Sequence, residues 1–128
     1  AASLLKDRPI AQHKMGEAEA ELRAARAYLF ESMEAVEDEL RRGAELPSGP
    51  LTQDARLACI HAAHASMKAV DLVHNAGGTT AAFMINPLER KFRDAHMCAS
   101  HRWVAHPLYA ELGKIFLGHE APEEFAGG

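Results

Sequence analysis

Several groups of residues in this chain have the types and spacing to do chemistry. Eight histidines supply imidazoles that titrate near neutrality and can ligate a metal. His61-x-x-His64 sets two of them on one helical face. Di-iron bundles need a Glu-x-x-His on each of two helices, and this chain has none. It also lacks His-Glu-x-x-His and any Cys/His cluster at zinc-finger spacing. The pair therefore reads as polar packing on an alanine-rich helix, and no metal is expected. His96, His101 and His106 recur every five residues, which places them on no common helical face. Glu89, Arg90, Arg93 and Asp94 share a turn and a half, with Glu89 and Arg93 an i,i+4 pair of opposite charge. That spacing suits an ion network, solvated or between helices. Gly77-Gly78 follows His74 by three residues, between two helical patterns. Residues without side chains let a ligand or another chain approach the backbone. A plain helix C-cap is the alternative.

Helices must position these groups. After a lead-in loop over residues 1–8, Pro9 fits a first helical turn, where its missing N–H costs nothing. Ala18, Leu22, Ala25, Leu29, Met33, Val36 and Leu40 then repeat at three and four, an apolar stripe on a helix that Gly43 stops. From Pro9 to Arg42 such a helix is roughly 50 Å long at ~1.5 Å per residue. That length calls for a bundle or an oligomer. Residues 44–51 form a loop, and Thr52 is the predicted N-cap of a second helix that runs to Ala76. Ile60, Ala63, Met67, Val70 and His74 share a face, and few charges interrupt the others, so this helix should be enclosed on most sides. A short turn from Thr79 or Thr80 to Ile85 precedes a third helix that opens at Pro87. Leu88, Phe92, Ala95 and Ala99 form its apolar face. His106-Pro107 divides it from a fourth, striped by Leu108, Leu112 and Ile115. Residues 119–128 read as a flexible tail. No strand pattern occurs. The expected fold is an all-α antiparallel helical bundle of about four helices, one domain over 1–128.

Bulk properties agree. At 128 residues the chain can bury a core. A net charge of −4 disfavours nucleic acid or an anionic membrane as partner. No apolar run reaches the ~18–20 residues of a membrane span. Cys59 and Cys98 fall within helical patterns, which points to a reducing, cytoplasmic setting. The missing initiator Met suits a piece of something longer.

Gly77-Gly78, Pro87-Leu88-Glu89-Arg90 and Arg93-Asp94 together resemble the C-terminal helical domain of the acyl-CoA dehydrogenase-like flavoproteins. There a Gln-x-x-Gly-Gly element meets FAD of a neighbouring subunit, and an Arg-Asp pair follows about fifteen residues on. His74 stands where the dehydrogenases carry that Gln, and both side chains can donate and accept. Asp7-Arg8-Pro9-Ile10-Ala11-Gln12 resembles the segment that opens the family's long helix, where a Gln reaches a partner's flavin. The resemblance covers residues 5–118. It implies cofactor-binding roles for Gly77, Gly78, His74 and Gln12, and assembly as a homo-oligomer, a tetramer.

One departure redirects the chemistry. Most acyl-CoA dehydrogenases place their catalytic Glu eight residues beyond the Asp of Arg-Asp, and here that position is Arg102. A cation cannot be that base. Arg93-Asp94 followed by His101 instead resembles the two-component, group D flavin monooxygenases. These receive reduced flavin (FADH2 or FMNH2) from a separate flavin reductase. They oxygenate a small aromatic substrate or a heteroatom through a flavin C4a-hydroperoxide. The resemblance implies that His101 is catalytic. Such a residue would bond the peroxide or take a phenolic proton, and an imidazole suits both. Two other readings stay open: a dehydrogenase whose base lies elsewhere, and a helical interaction domain without catalysis.

Overall fold

The computed structural model describes residues 4–76 and 87–126. A 3-10 turn, Leu5–Asp7, leads into α1 (Pro9–Arg41). Then come α2 (Gly49–Ala76), α3 (Pro87–Ala99), α4 (Leu108–Phe116) and the single turn α5 (Glu123–Ala126). No strand occurs among the described residues. The all-α bundle holds, and so do the starts at Pro9, Pro87 and Leu108. Gly77, Gly78 and the short turn expected before Ile85 lie outside the described residues.

The helix ends follow from local chemistry. Gly43 adopts φ +103°, a conformation other residues resist. The Ala44 N–H then donates to the Glu39 carbonyl five residues back, at 3.4 Å, closing a Schellman cap on α1. α2 starts at Gly49, four residues before the Gln53 that an N-cap at Thr52 implies. Pro50 occupies its first turn, where no N–H is required, and the Ser48 carbonyl accepts the Thr52 N–H at 2.9 Å. The Glu39 carboxylate accepts the Ser48 N–H and ties the α1–α2 connection to α1.

α1 and α2 pack antiparallel. Tyr28 meets Asp54 and Glu21 meets Lys68, so one index falls as the other rises. Small residues make the seam: Ala18, Ala25 and Ser32 on α1 are buried, as are Ala58, Ala65 and Ala69 on α2. Ser32 tolerates burial because its hydroxyl donates to the Leu29 carbonyl at 2.9 Å. This corrects the predicted stripe. Leu22, Met33 and Leu40 stay 43, 45 and 40 % exposed. Alanines bring the helix backbones close, and the larger side chains move to the flanks. α2 is the central helix. Between Leu51 and Ala76 only Lys68 and Asn75 are exposed, and α1, α3, α4 and α5 all pack against it.

The expected flexible tail is a second correction, valid for residues 119–126. Gly118, at φ +98°, turns the chain after α4, and α5 drops Phe125 into the core beside Ile60 and Leu112, 1 % exposed. Gln53 of α2 donates to the Phe125 carbonyl at 3.1 Å. One apolar residue in a four-residue helix leaves no periodic signal to read.

Candidate functional site

At one end of the bundle, the start of α1 meets the end of α2. Leu5, Ala11, Met15, Val73, Ala76 and Leu88 wall an apolar cleft of about 500 Å³, with Lys6 and Gln12 as its polar residues. The Gln12 amide nitrogen donates to the Lys6 carbonyl at 3.0 Å, which fixes the side chain and leaves its amide oxygen without a partner among the described residues. The cleft lies at the C-terminal end of α2, beside Val73 and Ala76.

His74 is engaged elsewhere. Its Nε2 donates to the Glu89 carboxylate at 2.9 Å, and its ring lies 4.3 Å from Phe92. Beyond Phe92, at 4.4 Å, comes His96, whose Nε2 meets Asp71 at 2.6 Å. Two imidazole–carboxylate pairs thus bracket one phenyl ring and clamp α3 antiparallel to α2. Of the His74 ring nitrogens only Nδ1 remains for a ligand. Glu89 serves this cross-helix pair, and no ion pair joins it to Arg93 among the described residues.

His101 sits in an exposed turn after α3. The Cys98 carbonyl accepts its N–H at 3.1 Å, and its own carbonyl accepts the Val104 N–H at 2.9 Å. The Trp103 N–H points at His101 Nδ1, 3.3 Å away. A ring that accepts at Nδ1 carries its proton on Nε2 when neutral. α2 grips the turn through consecutive carbonyls: Arg56 donates to Trp103 at 2.9 Å and His64 Nε2 to Val104 at 2.8 Å. His64 also meets His106 edge-on at 5.2 Å, with Tyr109 at 5.7 Å. His61-x-x-His64 is thus split between roles, since His61 stacks loosely on Tyr28 at 6.5 Å. No group of three His, Cys, Asp or Glu able to hold a metal occurs among the described residues.

Comparison with known proteins now gives this geometry a family. Residues 1–106 match the family described as acyl-CoA dehydrogenase, C-terminal domain. The chain belongs to that family. It is similar to a protein named indole-3-acetate monooxygenase from Pseudomonas putida, 32 % identical over 119 residues, which are 93 % of this chain and 30 % of that protein. A protein of the same name from Acinetobacter baumannii is 28 % identical over 116 residues, 91 % of this chain and 30 % of that protein. A pigment production hydroxylase from Rhodococcus erythropolis is 32 % identical over 97 residues, 76 % of this chain and 24 % of that protein. The chain spans about 30 % of the length of the first two relatives.

For an acyl-CoA dehydrogenase C-terminal domain, the placement of the predicted residues is two-ended. Gln12 lies against Val73 and Ala76. The His101 turn lies against His64 and Arg56. On α2 the nearest of these, His64 and Val73, are nine residues apart and the farthest, Arg56 and Ala76, twenty, roughly 14 to 30 Å at 1.5 Å per residue. Within one chain, His101 and Gln12 therefore do not form one pocket. The family points to a flavin cofactor, and the cleft at Gln12 fits part of one. Apolar walls with one amide oxygen and one ammonium suit a planar ring edge or an anionic tail.

Sequence reasoning missed Arg56, His64 and Trp103 as supports of the His101 turn. Arg56 and His64 act across 40 or more residues of sequence, which no local pattern reports, while Trp103 acts from two residues away. It also missed the Tyr28 hydroxyl, which donates to the Asp54 carboxylate at 2.6 Å and braces α1 on α2. Burial, then this carboxylate, holds the Tyr28 phenol well above its usual range.

Proposed function

We propose that this chain is the C-terminal part of a flavin-dependent monooxygenase that hydroxylates a small aromatic or heteroatom substrate. Reduced flavin, FADH2 or FMNH2, comes from a separate reductase and supplies the oxygen-activating chemistry when bound. The carrying observation is the exposed turn Ser100–Trp103, held by α2 from behind. It offers an imidazole N–H and, at Arg102, a cation in place of a base. Similarity over nine-tenths of the chain to two proteins named indole-3-acetate monooxygenase supports the same reading.

Each residue then has a stated task. His101 presents its Nε2 proton to oxygen or substrate at one end of the bundle. Gln12, with Gly77 and Gly78 after Ala76, meets flavin at the other, and His74 adds its Nδ1. A separation of roughly 14 to 30 Å along α2 suits two flavins in a homo-oligomer, one per end, and a tetramer is the state we favour. Exposed Ile10, Leu22, Phe30 and Met33 along α1 offer apolar surface for that assembly. No helix of the described residues is long and apolar enough to cross a membrane. A cytoplasmic setting fits Cys59 and Cys98, which remain free thiols.

The dehydrogenase reading keeps one structural foothold. Glu124 lines the cleft that Arg102 and Trp103 share and is the carboxylate such a reading would need. The two are separated by feeding the full-length protein either reduced flavin and oxygen or an acyl-CoA with an artificial acceptor. Oxygen-dependent product formation supports the proposal. Anaerobic acceptor reduction by acyl-CoA overturns it.

A further inference from the structure

We propose that the cleft beside the His101 turn recognises the carboxylate of a small aromatic acid, with Arg102 and Arg56 as its anion-binding groups and Trp103 as its stacking wall. The cleft measures about 300 Å³ and is lined by Arg56, Arg102, Trp103, Leu108 and Glu124. That is the lower end of the ~300–1,000 Å³ range of small-molecule pockets.

Two guanidinium groups converge on one ring. Arg56 Cζ stands 5.1 Å and Arg102 Cζ 5.2 Å from the Trp103 ring centroid. Both positive charges are held over the indole in cation–π geometry, which puts them no more than about 10 Å apart, about one screening length at ~0.1 M salt. Among the described residues no carboxylate lies within ion-pair distance of either one. Arg56 commits one nitrogen to the Trp103 carbonyl, and Arg102 has no hydrogen-bond acceptor among the described residues. An anion placed here meets two cations without a carboxylate partner and satisfies free N–H donors, and the guanidinium fork matches a carboxylate in two parallel bonds.

The rest of the cleft fits a ring. The indole of Trp103 is 48 % exposed, and with two guanidinium groups over it a bound ring meets the surface they leave uncovered. Leu108 adds an apolar wall. Glu124 puts one negative charge on the same cleft, which favours a monoanion over a dicarboxylate. His101 lies in the same turn, one residue before Arg102. The assignment rests on the monooxygenase reading for its catalytic meaning but not for its test.

The test is binding of phenylacetate, with neutral phenylacetamide as control and no flavin present. On the full-length protein it is read by equilibrium dialysis. On the 128-residue chain it is read by emission of Trp103, the one tryptophan. Phenylacetate should bind saturably and phenylacetamide about tenfold or more weaker, the scale of one charge-assisted bond. Arg102→Gln should lose the same factor with unchanged circular dichroism, and Arg102→Lys should fall between. Raising the salt should weaken the wild type. Equal binding of acid and amide overturns the site, as does an Arg102→Gln protein that binds like the wild type, or no saturable response. If the acid binds as expected while the full-length enzyme oxygenates nothing, the site stands and the monooxygenase reading falls. If oxygenation of aromatic acids is unchanged in Arg102→Gln, the site falls and that reading stands.

Discussion

Trp103 donates its backbone N–H to His101 Nδ1 at 3.3 Å, and that bond fixes which nitrogen the imidazole can offer. With Nδ1 accepting, the neutral ring carries its proton on Nε2. A donor of this kind stabilises charge that develops on an oxygen. In the full-length enzyme, His101→Ala should lower hydroxylation by ~10²–10⁴-fold, the usual worth of a positioned acid–base group. The fold should survive, because the side chain is exposed. Hydrogen peroxide released without product should rise. Wild-type rate and wild-type coupling in the variant would make His101 structural.

Flavin affinity tests the other end of α2. Replacing Gly78 with Val adds bulk where a ligand is proposed to meet bare backbone. Gln12→Ala removes the amide that faces the apolar cleft. Both should weaken flavin binding by the full-length protein more than they lower its melting temperature. For Gly78→Val, a collapse in melting temperature with unchanged affinity in the folded fraction would reduce the glycine pair to a helix cap.

Phe125 measures how firmly the C-terminal segment docks. It fills the core against Ile60 and Leu112, so Phe125→Ala should cost about 3–5 kcal/mol, as buried aromatic truncations do. Urea unfolding of the chain reads this directly. A loss below about 1 kcal/mol would return residues 119–126 to the status of a tail.

Both tyrosines should resist alkali while the chain is folded. Burial raises the pKa of Tyr109, and burial plus the Asp54 carboxylate raises that of Tyr28. A raised folded pKa means stability that is complete below the unfolded value, here 10.0, and lost as pH climbs past it. Ultraviolet titration should show phenolate appearing with unfolding, above the ordinary range. Tyr28→Phe should lessen the decline of stability above pH 10. Free phenolate at ordinary pH in a folded chain would refute the Tyr28–Asp54 brace.

The long helices were legible because each carries its own signals: Pro9 and Pro87 at starts, Gly43 at a stop, and apolar periodicity between. The face that packs was less legible. Periodicity weights large side chains, yet the α1–α2 seam is made by Ala18, Ala25 and Ser32, while Leu22 and Met33 stay out. His101 drew notice through its spacing from Asp94. What surrounds it did not, because Arg56 and His64 act from 40 to 47 residues away. His74 shows the opposite limit. Its spacing to Gly77 suggested a ligand, and no spacing announced the bond from its Nε2 to Glu89 across the helix pair, which leaves Nδ1.

The most direct test of the monooxygenase reading is isotopic. The full-length protein is given reduced flavin, a small aromatic substrate, and dioxygen labelled with oxygen-18. The account predicts a product that carries one labelled oxygen atom, with formation lost when the flavin is supplied oxidised and no reductant is present. A product labelled only from water would contradict it, as would acyl-CoA-dependent acceptor reduction with no oxygenated product.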